Sequence, residues 1–242
     1  LQEELLETVT AVGKPVVLVI SAGSALDLSW ADAHVAAIID SFYPGARGGK
    51  AVAEAIFGDF SPSGKLPVTF YQGTENLPEF TDYDMSDRTY RYTDKNVLYP
   101  FGYGLHYGTI RYENAQISCA QCSVRDAVDV SVDVINESSY TIHESVQAYI
   151  QHEEADAYEP GYQLKGIQTV TLQPKETKRV TISLKARDFA IITQEGECVV
   201  RPGSYRIAIG GQQPDARSAK LTGSDVATLV VRREGAQTPV EY

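Results

Sequence analysis

Apolar residues at the start of the chain follow first a helical and then a strand-like pattern. In residues 1–12, leucines and valines recur at helical spacing, and Gly13 with the following Lys-Pro pair predicts the end of this helix. The run VVLVI at residues 16–20 predicts a strand buried on both faces. Continuous apolar runs of this length are typical of parallel sheets that are covered by helices on each side.

The next segments continue this alternation of helix and strand. A second helix is predicted over residues 30–40, with Ser29 as its N-cap. Its buried stripe would consist of Val35, Ile38 and Ile39. After a glycine-rich turn, a third helix is predicted at 50–57 and a proline-entered strand at 65–71. This order predicts an open α/β layer.

Residues 72–107 show no clear periodicity and are rich in aromatic residues, charges, prolines and glycines. Long stretches of this kind are uncommon inside compact domains unless they are functional or act as linkers. The aromatic side chains indicate that the segment packs against another part of the protein.

Strict alternation of apolar and polar residues begins after this segment. It is found in AVDVSVDVIN, ESVQAYIQH, KGIQTVTL, KRVTISL and SYRIAIGG, which are separated by short turns. This pattern predicts an all-β, immunoglobulin-like sandwich, with a boundary near residues 108–114.

Charge and hydropathy exclude several classes of function. The 242 residues carry a formal net charge of −11, so the chain offers no basic surface for nucleic acid or anionic lipid. Its longest apolar run is far shorter than the about 20 residues that span a bilayer. The chain begins without an initiator methionine or a signal-peptide pattern, and we expect it to be cut from a longer polypeptide; its compartment stays open.

The cysteine and histidine patterns indicate no metal or cofactor. Cys119 and Cys122 form a C-x-x-C that lacks a second ligand pair and the helix start of a redox site. A bridge from either of them to Cys198 would be compatible with an exported protein. The four histidines show no metal-ligand spacing and are interpreted as structural or surface residues.

Six motifs in order along the chain resemble one known family. They are GKPVVLVISAGSALDLSWA, YPGARGGKAVAEAIFGDFSPSGKLPVTF, DYDMSDRTYRY, LYPFGYGLHY, QLKGIQTVTLQPKETKRVTISL and PGSYRIAIGG. The string resembles the C-terminal half of glycoside hydrolase family 3, the β-glucosidase and β-xylosidase family. The resemblance implies the end of an α/β-sandwich domain followed by a fibronectin type III-like domain. The expected division is residues 1–71, a linker at 72–108, and the β-sandwich at 109–242.

The resemblance implies that the catalytic residues lie outside this chain. In the family, a preceding TIM barrel supplies the aspartate nucleophile, and the acid/base glutamate usually precedes the helix in which this chain begins. Retaining glycoside hydrolysis needs two carboxyl groups about 5 to 5.5 Å apart, and an arbitrary surface acid cannot replace either of them. We therefore nominate no catalytic residue in this segment.

The glycine-rich turn and the single tryptophan are both interpreted as structural. Gly45, Gly48 and Gly49 precede a predicted helix and could bind phosphate, but their spacing matches neither G-x-G-x-x-G nor a P-loop. Positive φ angles and close helix–strand approach explain the glycines better. Trp30 could stack on a sugar ring, but at the start of a predicted helix we expect it in the core.

The segment DYDMSDRTYRY contains the best candidates for substrate binding. Tyr83, Arg88, Tyr90 and Arg91 offer hydroxyls, flat rings and guanidinium groups of the kind that hold sugars in outer subsites. The alternative is an interdomain clamp, with the arginines paired to Asp82, Asp84 or Asp87 and the tyrosines buried against the sandwich. The clamp is favoured, because ordering a long loop requires such residues. An acidic loop at 151–163 is expected to be solvated or to line the active-site rim.

Two functions of different class fit these patterns. The favoured hypothesis is the C-terminal part of a retaining exo-β-glycosidase that releases terminal glucose or xylose from oligosaccharides or aryl β-glycosides. Its partner would be the missing TIM-barrel portion or a separate barrel chain, and the exposed edges of a truncated α/β layer would favour homo-oligomers or aggregation. The alternative is a stand-alone carbohydrate-binding or protein-interaction module.

Overall fold

The computed structural model describes residues 1–75, 77–156 and 158–240, and its first part is a small α/β layer. The elements in order are α1 (Gln2–Thr10), β1 (Val17–Ile20), α2 (Ser29–His34), β2 (Ala37–Asp40), α3 (Gly48–Phe57), β3 (Phe70–Tyr71), α4 (Thr89–Tyr92) and β4 (Val97–Tyr99). Strands β1 and β2 pair in parallel, and β3 pairs with β4 in antiparallel orientation. Of the described helices, none is long and apolar enough to span a bilayer.

The predicted second helix is only half as long as expected. Helix α2 ends at His34, and Val35 is already in an extended conformation. Residues 37–40 form β2 instead, because pairing with β1 satisfies the backbone of a segment rich in isoleucine. Ser29 does not act as a side-chain cap; its N–H and hydroxyl donate to Oδ1 of Asp27 at 3.0 and 2.6 Å.

The expectation that β1 is buried on both faces is wrong for the described chain. Leu18 and Ile20 pack on a cluster formed by Leu28, Ala31, Phe70 and Leu98. On the opposite face, Val17 and Val19 are each 40% exposed. The α/β layer therefore buries one face of its parallel sheet and presents an apolar surface on the other.

The second part of the chain is a β-sandwich, so the predicted order of an α/β layer and an immunoglobulin-like sandwich is confirmed. Its strands are β5 (Ile110–Ile117), β6 (Gln121–Ser123), β7 (Val128–Asn136), β8 (Ile142–His152), β9 (Gln163–Leu172), β10 (Thr177–Leu184), β11 (Ile191–Ile192), β12 (Cys198–Val200), β13 (Gly203–Gly210), β14 (Ala227–Glu234) and β15 (Thr238–Pro239). A 3₁₀ helix (Ala186–Phe189) and helix α5 (Ala216–Thr222) lie between strands. The two larger sheets have the orders β10-β7-β5 and β6-β14-β13-β8-β9.

The alternating segments are the strands that build the sandwich core. On β7, the valines at 128, 130, 132 and 134 are all fully buried, and the residues between them are more exposed. Strand β8 differs, because residues on both of its faces are buried in the run Val146–Ile150. The outer face of the five-stranded sheet is therefore covered at β8 by another part of the chain.

A buried ionic cluster joins the α/β layer to the sandwich. The carboxylate of Glu144 on β8 is 1% exposed. Nζ of Lys65 lies 3.2 Å from its Oε1, and Nε2 of His106 lies 3.5 Å from its Oε2. Burial, and then the charge of Glu144, raise the pKa of the adjacent Tyr112 hydroxyl well above its usual value. A buried carboxylate costs several kcal/mol unless it is paired, so these groups depend on one another.

His106 makes the stability of this junction dependent on pH. Burial lowers the pKa of His106, Lys65 acts in the same direction, and Glu144 only partly offsets them. As the pH falls through about 6.5, the imidazole of His106 becomes protonated in the unfolded chain before it does in the folded chain. The folded state therefore loses stability relative to the unfolded state.

We predict that His106→Gln loses less unfolding free energy than the wild type between about pH 7 and about pH 5. His143→Gln is the control and should follow the wild type, because His143 is exposed on β8, next to Glu144 in sequence but on the opposite side of the strand. Chemical unfolding at both pH values measures this difference. An equal loss in His106→Gln and wild type would contradict the assignment.

Candidate functional site

The connecting segment, residues 72–108, lies between the α/β layer and the sandwich and carries the predicted site residues. Its later part packs on the outer face of the five-stranded sheet. The ring of Tyr90 stacks on Phe101, with centroids 4.1 Å apart, and meets Tyr149 of β8 edge-on at 6.2 Å. The Tyr90 hydroxyl accepts a hydrogen bond from the backbone N–H of Leu164 at 3.1 Å. Tyr90 therefore contacts the sandwich through both its ring and its hydroxyl.

A buried amide fixes the same segment further along the chain. Nε2 of Gln147 donates to the carbonyl oxygens of Gly102 and Gly211, both at 3.1 Å. Its Oε1 accepts from the Tyr149 hydroxyl at 2.5 Å. Gly102 has φ +76°, and a Cβ there would lie 2.5 Å from Oε1 of Gln147 and 2.7 Å from the Tyr149 hydroxyl. Glycine is therefore required by both backbone conformation and space.

Hydrogen bonds connect the segment to three other parts of the chain: helix α5, helix α2 and the loop that contains Gly161. Nε and Nη2 of Arg217 on α5 donate to the carbonyl of Leu98 at 3.0 and 2.9 Å. The Tyr99 hydroxyl donates to Oδ1 of Asp32 on α2 at 2.6 Å. The carbonyl of Arg91 accepts from the N–H of Gly161 at 2.7 Å. The segment is thus anchored on both sides of the junction.

The structure separates the four predicted site residues instead of bringing them together. Tyr83 is 89% exposed, whereas Tyr90 packs on the sandwich. Arg88 organises its own loop, since its guanidinium donates to backbone carbonyls. Nη2 of Arg91 donates to Oε1 of Gln163 on β9.

Two details of the predicted clamp are wrong. Among the described residues, neither arginine forms an ion pair with Asp82, Asp84 or Asp87. Arg88 binds the carbonyls of Glu79, Asp82 and Asp84, and the carboxylate of Asp87 pairs with Lys95 at 2.8 Å. Tyr83 is also not buried against the sandwich. A sequence shows opposite charges in proximity, but it does not show that nearby carbonyls offer a guanidinium better-aligned acceptors.

A cavity of about 610 Å³ opens beside the first half of the segment. Its polar lining includes Tyr71, Glu75, Asp82, Asp84, Asp87 and Lys95. Hydrogen bonds from Ser86 hold the pKa of Asp84 below its usual value, so this carboxylate is a hydrogen-bond acceptor and not a proton donor near neutral pH. Carboxylates, an ammonium group and a tyrosine can bind hydroxyl groups. Sequence reasoning overlooked Tyr71 and Lys95, which have no local signal that distinguishes them from surface residues.

The described residues contain no cluster of three or more histidine, cysteine, aspartate or glutamate side chains that could hold a metal ion. All three cysteines are free thiols, so the bridge from Cys119 or Cys122 to Cys198 is not present in this structure.

The glycine-rich turn has a structural explanation that differs from the expected one. Gly48 and Gly49 form the first turn of α3, and none of the three glycines has a positive φ. A Cβ on Gly48 would collide with the ring of Pro44, whereas Gly45 and Gly49 face open space. Close approach to Pro44 therefore explains one glycine, and helix–strand approach explains none of them.

Trp30 is also not in the core. It is partly buried and stacks on the His34 ring, with centroids 4.2 Å apart, outside the apolar cluster of the α/β layer.

We predict that Gly102→Ala destabilises the protein well beyond the cost of a positive φ. Gly58→Ala is the matched control, because Gly58 has φ +79° and no atom lies within 4 Å of the place that its new methyl group would take. The control should cost about 1 kcal/mol, and Gly102→Ala at least about 2 kcal/mol more, since it also displaces Gln147 and Tyr149. Urea unfolding measures both values. Equal losses of unfolding free energy in the two variants would show that Gly102 does not pack closely against Gln147.

Comparison with known proteins finds two family matches along the chain. Residues 1–107 match the glycosyl hydrolase family 3 C-terminal domain, and residues 144–213 match the fibronectin type III-like domain. The chain is 34% identical over 228 residues to a β-xylosidase of Formosa agariphila, covering 91% of this chain and 32% of that protein. It is also 35% identical over 222 residues to a xylan 1,4-β-xylosidase of Xylanibacter ruminicola, and this match covers 91% of this chain and 25% of that protein.

The fold is also found in a solved β-glucosidase of Erythrobacter marinus. The two superpose with a TM-score of 0.80 and 33% identity over 96% of this chain and 30% of that one. The chain therefore spans about a third or less of the length of these relatives. Taken together, the matches in sequence and fold show that the chain belongs to glycosyl hydrolase family 3, of which it contains the C-terminal domain and the fibronectin type III-like domain.

Proposed function

We propose that the chain is the C-terminal portion of a retaining exo-β-glycosidase that removes terminal β-linked glucose or xylose from oligosaccharides. The observation that carries this proposal is the similarity to β-xylosidases and a β-glucosidase over more than nine-tenths of the chain. This chain covers only 25% to 32% of the length of the same relatives. The substrate, an oligosaccharide or aryl β-glycoside, would be processed by the complete enzyme.

In this proposal, both catalytic carboxyl groups come from outside the chain. The two most buried carboxylates support this, because each is already engaged. Glu144 is paired with Lys65 and His106. Glu159, whose side chain is 1% exposed, is bound by Arg201 at 2.7 Å and by His152 at 3.1 Å. A general acid must reach the leaving oxygen, which buried and paired carboxylates cannot do.

We assign residues 1–71 to the α/β domain, 72–108 to the interdomain clamp and 109–242 to the fibronectin type III-like domain. Within the clamp, Tyr90 and Arg91 would hold the sandwich, and Arg88 would order the loop that carries Tyr83. The cavity beside that loop and the exposed Tyr83 ring support a role in an outer subsite for the loop that carries Tyr83, but not for Tyr90 and Arg91.

The apolar surface of the α/β layer supports a barrel-containing portion or chain as its partner. Besides Val17 and Val19, the side chains of Leu5 and Phe57 are 64% and 83% exposed. Surfaces of this kind mark interfaces or sites of aggregation. In isolation, the chain would therefore form homo-oligomers or aggregate.

The chain alone should show no turnover of aryl β-xyloside or aryl β-glucoside above background. The complete protein that contains it, assayed in parallel, should hydrolyse at least one of the two. Turnover by the pure chain would contradict the location of the carboxylates. Failure of the complete protein on both substrates would contradict the proposed activity.

Two tyrosine substitutions in the complete protein distinguish the clamp role of Tyr90 from the proposed outer-subsite role of Tyr83. Tyr90→Ala should lower the unfolding free energy by about 2 kcal/mol, because it removes a stacked ring and a hydrogen bond. Tyr83→Ala should change stability by less than about 0.5 kcal/mol. In the subsite role, it should raise KM for oligosaccharides and leave KM for an aryl monoglycoside unchanged. Equal effects on both substrates would contradict that role.

A further inference from the structure

The two cysteines of the C-x-x-C motif lie where the chain passes from β5 to β6. Cys119 lies in the turn after β5, and Cys122 lies on β6, where it pairs with Arg233 of β14. The Cys119 thiol donates to the carbonyl oxygen of Gln121, the residue before Cys122, at 2.7 Å. Hydrogen bonds between Ser118 and Asp129, at 2.9 and 3.0 Å, fix the start of the turn. The pair is therefore held by secondary structure on both sides.

A buried cation lies directly against this pair. Arg233 is 1% exposed, and its Nη1 lies 3.5 Å from Sγ of Cys122. Its Nη2 donates to the carbonyls of Val124 and Asp126 at 3.0 and 2.8 Å, and its guanidinium lies 4.2 Å from the centre of the Phe189 ring. Within the described part of the chain, no carboxylate lies within ion-pairing distance of Arg233. The buried charge has only neutral partners, of which Cys122 is the one that can become an anion.

The contact with Arg233 bears directly on the reactivity of the Cys122 thiol. The thiolate is the nucleophile in disulfide exchange, and a neighbouring arginine favours it. Burial raises the pKa of the Cys122 thiol, Arg233 opposes this effect only in part, and the neighbouring Cys119 adds to it. The thiol is thus protonated at rest, and the cation stabilises the anion that forms when it reacts.

We propose that Cys119 and Cys122 form a redox-active dithiol, which closes to an intramolecular disulfide by exchange with a small-molecule disulfide such as oxidised glutathione. In the first step, one cysteine thiolate attacks the glutathione disulfide, so that a mixed disulfide forms and one glutathione thiolate leaves. In the second step, the other cysteine thiolate attacks the mixed disulfide and displaces the second glutathione. Two electrons pass from the protein thiols to glutathione disulfide, and the two cysteine protons end on two glutathione molecules.

Cys198 provides an internal comparison. It is also a partly buried free thiol, but it lies on β12 in a separate small sheet. Unlike Cys119 and Cys122, it has no second cysteine within three residues along the chain to resolve a mixed disulfide. It should therefore not enter an intramolecular bridge.

The test equilibrates the complete protein with mixtures of reduced and oxidised glutathione, traps free thiols by alkylation and maps the peptides by mass spectrometry. At excess oxidised glutathione, the peptide that contains Cys119 and Cys122 should lose two hydrogens and resist alkylation at both positions. Cys119→Ser and Cys122→Ser should each leave glutathione on the remaining cysteine of the pair. Cys198→Ser should form the bridge as the wild type does.

Three results would overturn the proposal. They are alkylation of both thiols at excess oxidised glutathione, glutathione on both cysteines without a bridge, and a bridge from either cysteine to Cys198. Reversal is the second requirement: excess reduced glutathione should restore alkylation of Cys119 and Cys122. A bridge that persists under these conditions would be a fixed structural disulfide and would also overturn the redox role.

Discussion

The side-chain amide of Gln147 holds the connecting segment against the sandwich, and the close approach of Gly102 to the five-stranded sheet depends on it. The amide is buried, donates to the carbonyls of Gly102 and Gly211, and accepts from the Tyr149 hydroxyl. An unsatisfied buried amide costs about 1 to 3 kcal/mol, so every one of these partners is constrained. Gly102 can approach only because it lacks a side chain, and this approach lets Phe101 stack on Tyr90.

The buried ionic cluster around Glu144 also stabilises this junction. Glu144 is on the same strand as Gln147, and it meets Lys65 from the α/β layer and His106 from the connecting segment. Replacing a buried ion pair with apolar residues is often neutral, but removing one partner costs about 3 to 5 kcal/mol. The cluster therefore favours one relative arrangement of three chain segments.

Sequence patterns predicted the elements better than they predicted the contacts between them. Alternation identified β7 and its buried valines, because it reports which side of a strand faces the core. The same reasoning failed at residues 35–40, where apolar residues fit a helical stripe but pair with β1 instead. It also missed the burial of Glu159 in a loop that looked solvated, since Arg201, which pairs with Glu159, is 42 residues away in sequence. For the predicted site residues, the pattern did not show that Tyr83 is exposed whereas Tyr90 packs on the sandwich.

Hydrogen exchange of the connecting segment in the complete protein tests the fixed junction most directly. The N–H of Gly102 donates to Leu66 at 2.7 Å, and the N–H of Leu66 donates to Tyr103 at 2.8 Å. If the junction is as rigid as these contacts indicate, peptides covering residues 98–104 should exchange as slowly as those from strand β8. Exchange of residues 98–104 as fast as that of the exposed loop at 81–87 would contradict a fixed interdomain clamp.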